Sequence, residues 1–286
     1  MTGSAASIPT LTLNDGTAIP QLGFGVFLVP PEDTQRTVEQ AFEVGYRHID
    51  TAQMYGNEAE VGAAIAASGI SRQELYVTTK LNNGNHLPDD ARRSFAESLE
   101  KLGLDHVDLF LIHWPLPTRY DGDFVTTWRT MVALREGGGT TSVGVSNFEP
   151  AHLDRIIDET AVVPAVNQIE VNPYFVNEAA RAAGARHGIA TQAWAPIARG
   201  RIVEDPIIVG IADRVGRTPA QVTLRWHLQR GDIVFPKSTH RERMEENFAL
   251  FDFELGDDDL AAISSLDQGE SGRTGPNPNT FDRVSR

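Results

Sequence analysis

The sequence predicts an α/β fold: a (β/α)8 TIM barrel with an N-terminal β-hairpin and a C-terminal loop. Three observations predict it. Short apolar runs recur along the chain, segments with helical signals separate them, and nearly every run ends in a polar residue.

The first element is LTLNDGTAIP, residues 11–20, where Asn14-Asp15-Gly16 supplies turn chemistry between two short apolar stretches. Strand-like runs follow near 21–25, 46–49, 75–79, 107–112, 142–145, 165–169, 190–194 and 232–235. They are fairly continuous in apolar character, as parallel strands covered on both faces require; Val107 to Ile112 is one example. Between them, residues 88–102 carry Phe95, Leu99 and Leu102 at helical spacing and stop at Gly103. In 218–229, Thr218 suits an N-cap, Pro219 the first helical position, and Gln221 completes a capping box. The tail QGESGRTGPNPNTFDRVSR is turn-rich and reads as a surface loop.

A doubly wound open sheet is the alternative. Its dinucleotide fingerprint is missing, because Gly23-Phe24-Gly25 runs into Val26-Phe27-Leu28 without a third glycine. A Walker A motif is also missing.

The 286 residues suit one barrel, and no Pro/Gly/Ser-rich linker divides them, so residues 1–286 read as a single domain. A formal charge of −14 repels nucleic-acid phosphates and anionic membranes, and it makes any basic cluster informative. There is no cysteine, hence no disulfide, thiolate nucleophile or Cys-based metal site. The start, MTGSAASIPTLTLNDG, lacks the pattern of a signal peptide, and no apolar run approaches membrane-spanning length. These features fit a cytoplasmic protein without a membrane or nucleic-acid partner.

The run ends are Asp50, Lys80, His113, Ser146-Asn147, Gln168, Trp194 and Lys237. In a barrel they share the C-terminal face, where active sites lie. Their types suggest proton transfer. Tyrosine has a reference pKa of about 10, too high for an efficient acid near neutrality. An ammonium such as Lys80 beside Tyr55 would lower it, and a carboxylate such as Asp50 would keep a desolvated lysine charged. His113 could orient a substrate carbonyl. Each residue also has a plainer reading: Asp50 as a helix cap, Tyr55 as loop packing, Lys80 as a solvated charge, His113 as a core histidine. The eight histidines show no paired spacing typical of zinc, so no metal is expected.

At these residues the chain resembles the aldo-keto reductase superfamily, from about residue 10 to 268. Three motifs carry the resemblance: GYRHIDTAQMYGNEAEVG (45–62), SVGVSNF (142–148) and FPKSTHRERMEENF (235–248). Within the superfamily it is most similar to the bacterial 2,5-diketo-D-gluconic acid reductases. The resemblance implies a catalytic tetrad of Asp50, Tyr55, Lys80 and His113. It implies NADPH/NADP+ as cofactor, with Gly25 and Val26 at the first strand end and Ser146, Asn147 and Gln168 on the nicotinamide carboxamide. It further implies Trp194 stacked on the ring, and Pro196 and Ile197 along the pyrophosphate. Lys237, Ser238, Thr239 and Arg243 would then hold the 2′-phosphate and its ribose, and Glu246 and Asn247 the adenine. Phe27, Asn82, His113 and Trp114 would line the substrate pocket.

The implied reaction is hydride transfer from nicotinamide C4 to the carbonyl carbon of an aldehyde or ketone, with Tyr55 protonating the oxygen. Keto-sugar acids and α-keto carbonyls are the candidate substrates, and the resemblance implies a monomer. The sequence departs from the family pattern at Asn82 (commonly Trp), Thr141 (commonly Lys or Arg) and Asn172 (commonly His). At Asn82 the shape of the substrate pocket is expected to differ; at Thr141 and Asn172 altered loops, with the tetrad intact, are the expected consequence. Two other readings remain: a regulatory protein that binds NADPH without turnover, and an unrelated barrel isomerase or lyase. The latter commonly has a Gly-rich phosphate site after its last strands, where this chain has PKSTHRER.

Overall fold

The computed structural model describes residues 8–284. Outside them lie the first seven residues, within the start that lacks a signal-peptide pattern, and the last two of the 270–286 loop. The expected hairpin forms from β1 (Thr10–Thr12) and β2 (Ala18–Pro20), paired antiparallel with Leu11 opposite Ile19. Gly16 takes a φ of +85°, and Asp15 accepts from the Thr17 N–H at 3.0 Å, which closes the turn locally.

The eight expected strands then follow, all parallel: β3 (Phe24–Gly25), β4 (His48–Asp50), β5 (Tyr76–Leu81), β6 (Val107–Ile112), β7 (Thr140–Ser146), β8 (Val166–Glu170), β9 (Ala190–Trp194) and β10 (Ile233–Val234). The sheet runs in chain order from β3 to β10. Closure is made by a parallel bridge between Leu22 and Val234, with Gly23 N donating to Val234 O at 2.8 Å and Val234 N to Gln21 O at 3.0 Å. The first and last strands, Phe24–Gly25 and Ile233–Val234, are shorter than the runs at 21–25 and 232–235, and Pro236 has no N–H to extend the last one.

The surrounding helices are α1 (Pro31–Val44), α2 (Glu58–Ser68), α3 (Pro88–Leu102), α4 (Phe124–Glu136), α5 (Pro150–Thr160), α6 (Glu178–Arg186), α7 (Pro206–Val215), α8 (Pro219–Gln229), α9 (Arg241–Phe248) and α10 (Asp257–Ser264). α3 ends at Gly103 in the left-handed region, as its sequence predicts. α8 opens with the expected capping box: Gln221 N donates to Thr218 Oγ1 at 3.2 Å, and Thr218 N to Gln221 Oε1 at 3.1 Å. No helix among the described residues is long and apolar enough to cross a membrane.

Alternation along each strand separates two cores. Val77, Phe110, Ile112, Val143 and Val145 pack outward under the helices. Leu109, Leu111, Val166 and Ile233 point into the barrel and meet Leu13 and Ile19 of the hairpin. The hairpin therefore plugs the lower end, tied by Asn14 Nδ2 to Pro164 O (2.9 Å) and by Ser142 Oγ to Asp15 Oδ2 (2.7 Å). With the bottom sealed by apolar side chains, the polar residues of the interior sit toward the opposite rim.

Candidate active site

Each strand delivers its polar residue by the same alternation. Asp50 ends β4, Lys80 sits one residue before the end of β5, His113 follows β6, Ser146 ends β7, Gln168 lies within β8 and Trp194 ends β9. Tyr55 arrives on a 3-10 turn, Gln53–Tyr55, stopped by Gly56 at a φ of 70°. Gln53 pins that turn, donating to Ser94 O and Ser98 Oγ on α3 and accepting from the Asn82 N–H at 2.8 Å.

The lysine expected to meet Tyr55 does so. Lys80 is wholly buried, and its ammonium donates to Asp50 Oδ1 (2.5 Å), Thr51 O (2.8 Å) and Tyr55 Oη (3.2 Å). All three of its N–H groups are engaged. The other Asp50 oxygen accepts from Gln168 Nε2 at 2.8 Å, a bond that spans the barrel interior between non-adjacent strands. Gln168 Nε2 also donates to Gln192 Oε1 at 2.9 Å, while Gln192 Nε2 is buried without a partner. Gln192 is absent from the residues the sequence singled out, although its alternation with Trp194 along 190–194 places it on the inner face.

Electrostatics correct one expectation. Burial pushes the Tyr55 phenol above its ordinary value, and the neighbouring Lys80 charge opposes that rise without cancelling it. The phenol therefore holds its proton at neutral pH. For Lys80, burial works against the charged form, but Asp50 and then Tyr55 outweigh it and the pKa rises. His113 goes the other way: burial and then the Lys80 charge hold it well below the ordinary range, so the ring is neutral. Its Nδ1 is buried without a partner, and its ring lies 5.8 Å from that of Tyr55 in an edge-on arrangement.

Beside this cluster, Ser146, Asn147 and Trp194 form a chain. Ser146 Oγ donates to Gln168 O (2.8 Å), Asn147 Nδ2 to His113 O (2.9 Å) and Ser146 Oγ (3.0 Å), and Trp194 Nε1 to Asn147 Oδ1 (2.8 Å). Asn147 adopts a φ of 62°, a left-handed turn that asparagine tolerates. In the next loop Ala195, Ala198 and Arg199 have φ values of 50°, 47° and 54°, each costing about 1–3 kcal/mol for a non-glycine residue. A strained loop after the seventh barrel strand, followed by a short helix after the eighth, is where barrels commonly bind phosphate.

The segment after β10 supplies charge for such a group. Lys237 and Arg243 are exposed and form no ion pair among the described residues, within a chain of net charge −14. Arg241, which shares the basic run PKSTHRER, is instead held by Glu43 and Glu245. Ser238 is buried and bonds His240 N (3.0 Å) and O (3.1 Å); Thr239 and Glu246 are half-buried, and Asn247 is buried. Glu246 also accepts from Thr218 Oγ1 at 2.7 Å, so its carboxylate helps to hold α9 against α8. Gly25 and Val26 belong to the frame. A Cβ on Gly25 would lie 2.9 Å from Phe235 O, and Val26 is fully buried, donating to Asp50 O and accepting from Asn57 Nδ2. Two unpaired cations, a strained backbone and a flat indole at one rim fit a phosphorylated nicotinamide cofactor.

The sequence pattern of the Aldo/keto reductase family matches residues 21–268. The chain belongs to the aldo/keto reductase family. An aldo-keto reductase of Mycolicibacterium smegmatis is 50% identical over 273 residues, covering 96% of this chain and 98% of its own length. Methylglyoxal reductase DkgA of Yersinia pestis is 46% identical over 276 residues, covering 96% and 97%. Among solved structures, a point mutant of Gox0644 in complex with NADPH has a TM-score of 0.92 and 43% identity, over 96% of this chain and 99% of that one. This aldo/keto reductase is accordingly an oxidoreductase of carbonyl compounds.

Of the residues expected to line a substrate pocket, Phe27 is 50% exposed with its ring 5.0 Å from that of Tyr55. Trp114 is buried, 4.3 Å from Phe281, and Asn82 is half-buried beside the Gln53 turn. Thr141 lies inside β7, away from the rim, so its departure alters a strand residue and no loop.

The tail is the expected surface loop, and part of it is strapped across the rim. Glu170, buried at the end of β8, accepts from Thr274 N (2.6 Å), Thr274 Oγ1 (2.6 Å) and Gly275 N (2.9 Å). Asn172 reaches the same carboxylate at 3.4 Å. A Cβ on Gly272 would lie 1.7 Å from Tyr174 O, so only glycine lets the strap pass there. Arg273 is tucked against Glu149, Glu270 and the Phe175 ring. Glu170→Ala is expected to speed trypsin cleavage after Arg273 by about tenfold or more, since three bonds to a buried carboxylate are lost. Cleavage at the wild-type rate would show that Glu170 does not secure the strap.

Proposed function

We propose that this single-domain barrel reduces aldehydes and ketones to alcohols with NADPH, Tyr55 giving the proton to the carbonyl oxygen. The observation that carries the reading is the bond from Lys80 to Tyr55 Oη, made by an ammonium that Asp50 keeps charged inside the barrel. As the proton leaves Tyr55, the phenolate forms against this ammonium, so the stabilisation grows where the charge grows. The neutral His113 contributes orientation. A buried lone pair is a less costly orphan than a buried N–H, which places its proton on Nε2, free to donate to the carbonyl.

The bound reduced nicotinamide would supply the hydride for the carbonyl carbon. Ser146, Asn147 and Gln168 would hold its carboxamide, and Trp194 its ring. Pro196 and Ile197 would lie along the pyrophosphate; Glu246 and Asn247 would face the adenine. Lys237, Ser238, Thr239 and Arg243 would take the 2′-phosphate. The NADPH complex of a similar chain supports the cofactor. For substrate we favour α-keto carbonyls, because one relative is a methylglyoxal reductase and the rim joins exposed Phe27 to polar Asn82.

The test is cofactor choice. Arg243 offers a planar fork to a phosphate and Lys237 a point charge, whereas NADH has no group for either. Arg243→Ala is expected to weaken NADPH by about one order of magnitude, with NADH changed much less, as solvent screening keeps each contact modest. Fluorescence-quenching titrations of wild type and variant with both cofactors measure this. Equal losses would remove Arg243 from the phosphate site.

A further inference from the structure

A buried polar chain outside the tetrad reaches the cofactor loop from beneath. His227 on α8 and Asp232, just before β10, are both 0% exposed. Asp232 Oδ1 accepts two bonds from Arg181 of α6, from Nε at 3.2 Å and Nη2 at 2.8 Å. Its Oδ2 lies 2.9 Å from His227 Nδ1. The opposite nitrogen, His227 Nε2, lies 3.1 Å from the carbonyl oxygen of Pro196.

Both neighbours of the ring are acceptors. Each contact is a hydrogen bond when a proton lies on it, one shared between Nδ1 and the carboxylate and one on Nε2 toward Pro196. Burial lowers the His227 pKa, and the hydrogen bond and charge of Asp232 oppose that fall. The His227–Asp232 couple satisfies both contacts only when it holds both protons. Such a device is more than core filling, because an apolar side chain would fill the space without leaving a carboxylate to be matched.

The anchored carbonyl sits where anchoring matters. Pro196 lies between Ala195 and Ala198, two alanines held in the left-handed region, and has no N–H of its own to fix it. The Pro196–Ile197 peptide is trans, so fixing the carbonyl toward α8 directs the Ile197 N–H away from α8. We propose that His227 is a positioning residue for the cofactor, holding the 195–198 loop so that the Ile197 N–H is preset for the pyrophosphate. This rests on the cofactor reading above.

Two conservative variants separate positioning from packing. Glutamine places its amide nitrogen near the position of Nε2 and can still donate to Pro196 O, whereas asparagine reaches only the Nδ1 position. NADP+ affinity is measured by fluorescence quenching well below the unfolding temperature, alongside thermal unfolding and steady-state kinetics. His227→Asn is expected to raise the Kd for NADP+ about tenfold, and His227→Gln about threefold or less. In both, kcat at saturating NADPH should stay within about twofold, because the tetrad is untouched. An unchanged Kd in His227→Asn, or equal rises in both variants that follow their unfolding temperatures, would overturn the proposal. A wild type that does not bind NADP+ would instead sink the cofactor reading itself.

Discussion

Tyr55→Phe is expected to lower kcat by roughly 10³-fold while leaving the fold and cofactor affinity in place. No neighbouring group can take over. The three N–H groups of Lys80 are engaged and its pKa is raised, which makes it a poor donor. His113 is neutral, held so by burial and the Lys80 charge, and its proposed part is to orient the carbonyl. The phenylalanine ring would keep its packing on Phe27 and its place 4.8 Å from Lys80 Nζ. The variant loses only one acceptor of the ammonium, at a stability cost of about 1–3 kcal/mol. A pH profile adds a second check. A general acid must be protonated to act, so activity is present below its pKa and lost above it. Because burial raises the Tyr55 pKa, the wild-type rate of reduction should not fall through the neutral range from loss of this proton. The alkaline decline belongs above the ordinary tyrosine value of about 10. Steady-state NADPH oxidation with an α-keto aldehyde reads both. A kcat within about tenfold of wild type would remove Tyr55 as the proton donor.

What could be read in advance followed local rules. The run Val107–Ile112 matches its strand residue for residue, and Thr218-Pro219 with Gln221 gives α8 its start by chemistry visible within four letters. Asp50, Lys80 and His113 were readable because strand alternation and parallel register carry residues at strand ends to one rim. Four things were not readable, each for a physical reason. The Tyr55 pKa depends on burial, a property of the assembled barrel, and burial outweighs the ammonium that the sequence suggested. The strap reads as loop because its residues are small and polar; its order comes from Glu170, more than a hundred positions upstream. Arg241 looks like a cofactor cation in a basic run, yet Glu43 from α1 claims it. His227 gave no signal, since its partner Pro196 meets it only through the packing of α8 on the barrel.

Lys80→Met is expected to damage stability and chemistry together, and the two can be separated. The Lys80 pKa is raised in the folded state. A raised pKa means that the charged lysine stabilises the fold fully below the unfolded value of about 10.4, and that this contribution fades as pH rises through the folded value. At neutral pH the whole contribution is present and the substitution removes it. Asp50 is then left buried, with Gln168 as its remaining side-chain donor. Breaking a buried pair in this way costs about 3–5 kcal/mol, or roughly 5–10 °C in Tm for a chain of this size. Turnover should fall as well, by about 10²-fold or more, because the phenolate forms without its cation. Burial and the Asp50 charge, both of which raise the Tyr55 pKa, would then act unopposed. Adding Asp50→Asn removes the unpaired charge. The double variant should regain most of the lost Tm and none of the lost kcat. Thermal unfolding and kcat on the single and double variants decide between roles. If kcat recovers together with Tm, Lys80 supports the fold alone; if Tm recovers and kcat does not, the ammonium acts on Tyr55.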